Sequence, residues 1–110
     1  MTFSVSDAVP AVALEFAKRH LRVETNDDDL LIGTYILSAT QRAEHILGRE
    51  IVKRVDERAL AMTVDAVPAA IRSWVMLEVT DLYEKRSNSE SGLGQGRRNY
   101  DHLLDAFRVF

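Results

Sequence analysis

Between Asn26 and Gly48 the chain carries one unbroken helical pattern, and a helix of that length sets both the scale and the class of the fold. Ile32, Tyr35, Ile36, Ala39, Ala43 and Ile46 fall on a single stripe at about 100° per residue. Asn26 suits an N-cap, and Asp27, Asp28 and Asp29 put negative charge where the helix dipole favours it. Gly48 accepts the left-handed conformation that closes many helices. The pattern predicts a helix over 27–47, roughly 30 Å long, with the stripe as core. Leu30 and Leu37, one heptad apart, project from the opposite side beside Thr34 and Gln41. That second, narrow apolar strip faces either another part of the chain or a neighbouring subunit.

Two further helices flank it. A first helix is expected over 10–21, with Pro10 in its first turn, where a missing N–H costs nothing. Leu14, Ala17, Lys18 and Leu21 share a face, and the stem of Lys18 can lie along apolar neighbours while its ammonium reaches solvent. A third helix is expected over 68–86, with Ile71, Trp74, Val75, Val79 and Leu82 as its apolar arc and Tyr83 on its border. Glu78 falls inside that arc, so its carboxylate must be paired, reach water, or sit at a subunit boundary. Between the second and third helices, Leu60, Met62 and Val64 alternate with Ala59, Ala61 and Thr63, which predicts one or two short strands. A lone hairpin is marginal in water, so it should pack on a helix or pair with another chain.

Beyond Arg86 the composition changes: the stretch 87–99 holds three of the five glycines and one aliphatic residue, which predicts a flexible loop. Leu103, Leu104 and Phe107 then lie on one side of a last amphipathic segment, and Phe110 ends the chain. This segment over 100–110 is placed to dock, on its own domain or on a partner. The expected fold is mainly α: one domain over 1–110, a small bundle of about four helices with one or two short strands between the second and third.

Composition removes most chemistry. A chain of 110 residues buries somewhat over ~60% of its unfolded surface, enough for a modest core. There is no cysteine, hence no disulfide, thiolate metal site or cysteine nucleophile. No apolar run approaches the roughly 18–20 residues of a membrane span, and the first residues lack the pattern of a signal peptide. A net charge of −3 gives no broad electrostatic grip on nucleic acid. Arg49, Lys53, Arg54 and Arg58 gather locally, but Glu50, Asp56 and Glu57 nearly cancel them, so the cluster reads as a solvated face rather than a phosphate site.

The stretch 92–96, Gly-Leu-Gly-Gln-Gly, has the wrong spacing for either nucleotide fingerprint. The three aspartates lack the alternation, glycine turn and later glutamate of a calcium loop. His20, His45 and His102 are scattered, Ser91 lacks a nucleophile's strand-turn-helix setting, and no carboxylate pair is marked out for acid–base work. The expectation is a protein without cofactor, metal or catalysis.

Three patterns carry a resemblance. Lys18-Arg19-His20-Leu21-Arg22-Val23 is followed by the acidic run at 27–29; Glu44-His45-Ile46-Leu47-Gly48-Arg49 comes next; the third runs from Pro68 through Ile71 to Leu82-Tyr83-Glu84-Lys85-Arg86. In that order and separation the chain resembles the head–tail connector (adaptor) family of tailed bacteriophages over 14–86, with a weaker echo at 103–110. The resemblance implies a structural virion protein at the head–tail interface, found in the host cytoplasm during assembly. It implies a homo-oligomeric ring of about a dozen copies on the portal protein, which joins the portal to stopper or tail-completion proteins after packaging. Genome DNA would pass through without sequence-specific binding.

Lys18, Leu21, Arg22, Asp29, Glu44, Leu47, Gly48, Arg49, Pro68, Tyr83 and Arg86 match family positions that define the fold. Glu78 stands where the family is usually apolar, which makes it a candidate subunit contact along with Leu30 and Leu37. Leu103, Leu104, Phe107 and Phe110 are the expected portal contacts, with Arg97 and Arg98 in a loop that orders on assembly. The alternative is a small helical interaction module or dimeric DNA-binding regulator, against which stand the acidic balance and the lack of a helix pair joined by a DNA reader's short turn.

Overall fold

The structure is a computed structural model and describes residues 8–87 and 101–107. Its elements in chain order are α1 (Leu14–Leu21), α2 (Asp29–Leu47), a 3-10 turn (Val64–Ala66), α3 (Ala69–Ser87) and a C-terminal 3-10 helix (Asp101–Phe107). The expected loop over 87–99 lies outside the described residues, apart from Ser87, which ends α3.

α1 starts at Leu14 and not at Pro10, because a tertiary bond takes the preceding backbone. The N–H of Ala11 donates to Thr40 Oγ1 on α2 at 3.0 Å, and that hydroxyl in turn donates to the carbonyl of Ile36 at 2.8 Å. Ala11 and Val12 are buried in the core, so the segment crosses α2 before the helix can begin. α1 closes at Arg22, which adopts the left-handed conformation (φ 63°) that costs a non-glycine residue about 1 kcal/mol.

α2 begins at Asp29, two residues later than its pattern predicts, with Asp28 in the N-cap position. The reason is that Asn26 has another use. Its Oδ1 accepts from Lys18 Nζ at 2.9 Å, and the same ammonium lies 2.7 Å from Asp29 Oδ1. Lys18 is therefore buried, and its ammonium, expected in solvent, instead ties the end of α1 to the start of α2. At the far end Gly48 (φ 74°) donates its N–H to the carbonyl of Glu44 and closes the helix as its sequence predicts.

The core forms where α2 packs on α3, with α1 laid on α2 and the C-terminal 3-10 helix on α3 and α2. Ile32, Ile36, Ala39, Ala43 and Leu47 come from α2, and Ile71, Trp74, Val75 and Val79 from α3. The helical stripes read from sequence are the buried faces, with Tyr35, Ile46 and Tyr83 at their margins, except that Leu82, expected in the arc of α3, is half-buried and not part of the core. Leu104 of the C-terminal helix is fully buried among them.

The expected strands do not form. Among the described residues the stretch between α2 and α3 contains one isolated parallel bridge, Val52 to Ala61, held by Ala61 N–H to Ile51 O and Lys53 N–H to Ala61 O, both 2.8 Å. A ladder needs consecutive backbone N–H groups, and here several are taken by buried carboxylates. The alternation at 59–64 then breaks into the 3-10 turn.

Candidate functional site

The loop after α2 is built around charge rather than around apolar side chains. Glu44, in the last turns of α2, is fully buried; its Oε2 accepts the Ile51 N–H at 3.0 Å and Arg54 Nη1 at 3.1 Å, and its Oε1 accepts Arg54 Nη2 at 3.0 Å. This is the bidentate fork geometry of a strong arginine–carboxylate pair. Glu50, also fully buried, turns its Oε1 toward three backbone donors, the N–H groups of Arg54, Val55 and Asp56 at 2.6, 3.0 and 3.0 Å. Arg54 Nε stands 3.7 Å from its other oxygen. Asp56 completes the set: Oδ2 accepts the Glu50 N–H at 3.2 Å and Oδ1 the Arg58 N–H at 2.9 Å. Of the solvated face expected here, Glu57 and Arg58 are exposed, but Glu50, Asp56 and Arg54 belong with Glu44 to an internal ion-pair network, in which Arg54 serves two glutamates. Carboxylates whose lone pairs are filled by N–H donors make a structural core for a loop.

Burial pushes the Glu50 carboxyl up, but the N–H groups of Arg54, Asp56 and Val55 and the Arg54 charge outweigh it and hold the group below its ordinary 4.5. Burial likewise raises Asp56, and the Arg58 and Glu50 N–H groups with the Arg58 guanidinium bring it below its ordinary 3.8. As pH falls the unfolded chain therefore takes up these protons first. Their contribution is complete above the ordinary values and is lost as pH drops through the lower, folded ones. The urea midpoint should fall steadily from about pH 5 to about pH 3; a midpoint that holds or rises across that window contradicts the network.

A second polar node lies at the other end of α2. Tyr83 of α3 donates its hydroxyl to Asp28 Oδ2 at 2.9 Å, close in sequence to the Lys18–Asp29 pair, so α1, α2 and α3 are pinned at one corner. Arg49 reaches in two directions: its Nε donates to the Arg58 carbonyl at 2.5 Å and its Nη1 to the Phe107 carbonyl at 3.2 Å. It thereby ties the charged loop to the C-terminal 3-10 helix.

Of the other residues singled out by pattern, Leu47 is buried, Leu21 is half-buried, and Pro68 offers its carbonyl to the Arg72 N–H at 3.0 Å to start α3. Glu78 is buried on α3 and paired, its Oε2 3.8 Å from Arg42 Nε on α2. Leu30 stands 86% exposed, whereas Leu37 is half-buried. Leu104 belongs to the chain's own core, while Leu103 and Phe107 are half-buried around it. Arg97, Arg98 and Phe110 lie outside the described residues, as does the side chain of Arg86.

Sequence reasoning missed Arg54, Glu50 and Asp56 as a unit. The available signal was that Glu50 and Arg54 are four apart and flank Ile51 and Val52, apolar residues a solvated face has no need of. It also missed Phe16 and Leu77, exposed apolar side chains of α1 and α3. Phe16 lies off the face of Leu14, Ala17, Lys18 and Leu21, and that mismatch was legible.

The helical bundle agrees with one family, described as Phage gp6-like head-tail connector protein, which matches over residues 12–108. The chain belongs to that family. No curated protein and no solved structure matches it. A head–tail connector is a structural component of the phage particle, and its partners lie among the portal and tail proteins of the virion. Among the described residues of this connector no helix is long and apolar enough to cross a membrane.

Proposed function

We infer that this connector assembles as a closed ring of about a dozen copies, seated coaxially on the portal after packaging, and offers its other face to stopper or tail-completion proteins. The observation that carries the reading is the family match over residues 12–108, almost the whole chain. The ring works by shape and does no chemistry: each copy presents one face to the opposite face of the next. Genome DNA passes through the opening, and a chain of net charge −3 gives it little to adhere to.

The C-terminal segment is the portal-facing element in this reading. Leu104 anchors it in the core and Arg49 holds the Phe107 carbonyl, which leaves Leu103 and Phe107 partly open for a partner. Phe110, Arg97 and Arg98, which lie outside the described residues, are proposed as further contacts to the portal. Because Leu104 is a core residue, deletion of 100–110 would disturb the fold as well as docking, and point substitution is the sharper test.

Native mass spectrometry of the full chain, alone and mixed with its cognate portal ring, decides the matter. A mass of about a dozen subunits, alone or on the portal, is the expected result. A monomer or dimer that ignores the portal overturns the reading. The L103S/F107S variant should keep its helical circular dichroism and lose the portal-bound species.

A further inference from the structure

α1 and α3 each bury one side against α2 and leave the other side open, and between those open sides lies an apolar groove of about 470 Å³. Phe16 and His20 line it from α1, and Ala69, Arg72, Met76 and Leu77 from α3. Phe16 and Leu77 are 40% and 41% exposed, a large apolar area for one cleft. The groove is also cationic at its edge: the Arg72 guanidinium lies 5.9 Å over the Phe16 ring, with its Nη2 donating to the Val67 carbonyl.

A separate surface, on α2, shows the opposite character. Leu30 is 86% exposed, the most open of the large apolar side chains described, and it continues through Thr34 to Leu37 at the i, i+4, i+7 spacing of a helix made to lie in a groove. Asp27, exposed, stands one turn before Leu30. The Thr34 hydroxyl is satisfied within the helix by the Leu30 carbonyl at 2.9 Å, so the strip can be covered without stranding a polar group.

We propose that these two surfaces meet between neighbouring copies: the N-terminal half of α2, led by Leu30, lies in the α1/α3 groove of the next subunit. The assignment rests on the ring reading above and deepens it. Charge selects the pairing. Asp27 beside the Leu30 knob meets Arg72 at the groove edge, whereas knob against knob or groove against groove would bring like charges together. Placement selects the symmetry. The α2 strip and the α1/α3 groove share no residue, and a contact between two unlike faces of a subunit repeats from copy to copy until it closes.

The chain has no cysteine, so introduced thiols report this contact cleanly. Single variants L30C and L77C, mixed in equal amounts with the cognate portal present and oxidised mildly, should give a dimer joined between the two different positions. Each single variant alone should give none, and the L30C/L77C double variant should give a ladder that ends at the ring. L30E should keep its circular dichroism, because Leu30 is exposed, and lose most of its ring.

Rings in the native mass spectrum without the L30C–L77C cross-link, or with L30C–L30C dimers instead, overturn this interface and leave the ring reading standing. A wild-type chain that forms no ring, alone or on the portal, overturns both.

Discussion

Replacing Arg54 by methionine should lower folding stability by about 3–5 kcal/mol, a large share of the ~5–15 kcal/mol available to a domain. The side chain of Arg54 is 14% exposed and those of Glu44 and Glu50 are fully buried. Without the guanidinium, Glu44 keeps only the Ile51 N–H among its three donors. Its charge is then left in a low-dielectric site, and that uncompensated charge costs more than the pair contributed. Glu50 loses less, since three backbone N–H groups still hold one of its oxygens.

The double variant E44M/R54M should therefore recover part of the loss, because it removes the stranded charge along with its partner. Urea unfolding followed by the fluorescence of the single tryptophan measures the wild type, E44M, R54M and the double variant. Additive losses in the double variant would show that Glu44 and Arg54 are not coupled.

Truncating Trp74 to alanine should cost about 3–5 kcal/mol by a different route. Trp74 is the largest fully buried side chain and stands on α3 within the core that α2 and the C-terminal 3-10 helix share. Its removal forfeits the transfer free energy of the indole and leaves a cavity that rigid helices fill only in part. The variant loses its fluorescence reporter, so thermal melting by circular dichroism is the appropriate measure. For a domain near this size each kcal/mol corresponds to roughly 4–8 °C in Tm, and a fall of only a degree or two would mean that the site collapses around the gap.

The core was readable because helical spacing is a local rule. Ile32, Ile36, Ala39 and Ala43 on α2, and Ile71, Trp74, Val75 and Val79 on α3, occupy the faces that a period of about 3.6 residues assigns them, and all are buried. Gly48 was readable for the same reason, since a left-handed closing residue is a demand of the backbone alone. The charged loop was not readable. An alternation such as Leu60, Met62 and Val64 states what could pair, but strands need backbone donors, and Glu50 and Asp56 had taken several of them.

The ends of α1 and α2 shifted for a related reason. Pro10 and Asn26 are good local signals, and each was overruled by a bond to a distant element: Ala11 to Thr40 for the first, Asn26 to Lys18 for the second. Of the candidate contacts, Leu30 was legible as an apolar residue on the wrong side of its helix, while the groove of Phe16 and Leu77 exists only once α1 and α3 lie together.

The sequence by itself determined three helices, the faces they bury and the family to which the chain belongs, because periodicity, capping and motif order are properties of neighbouring residues. Only the tertiary structure decided which charges are internal and which apolar side chains remain open. Whether Arg54 meets water or Glu44, and whether Leu104 is surface or core, depends on what the rest of the chain brings to that point.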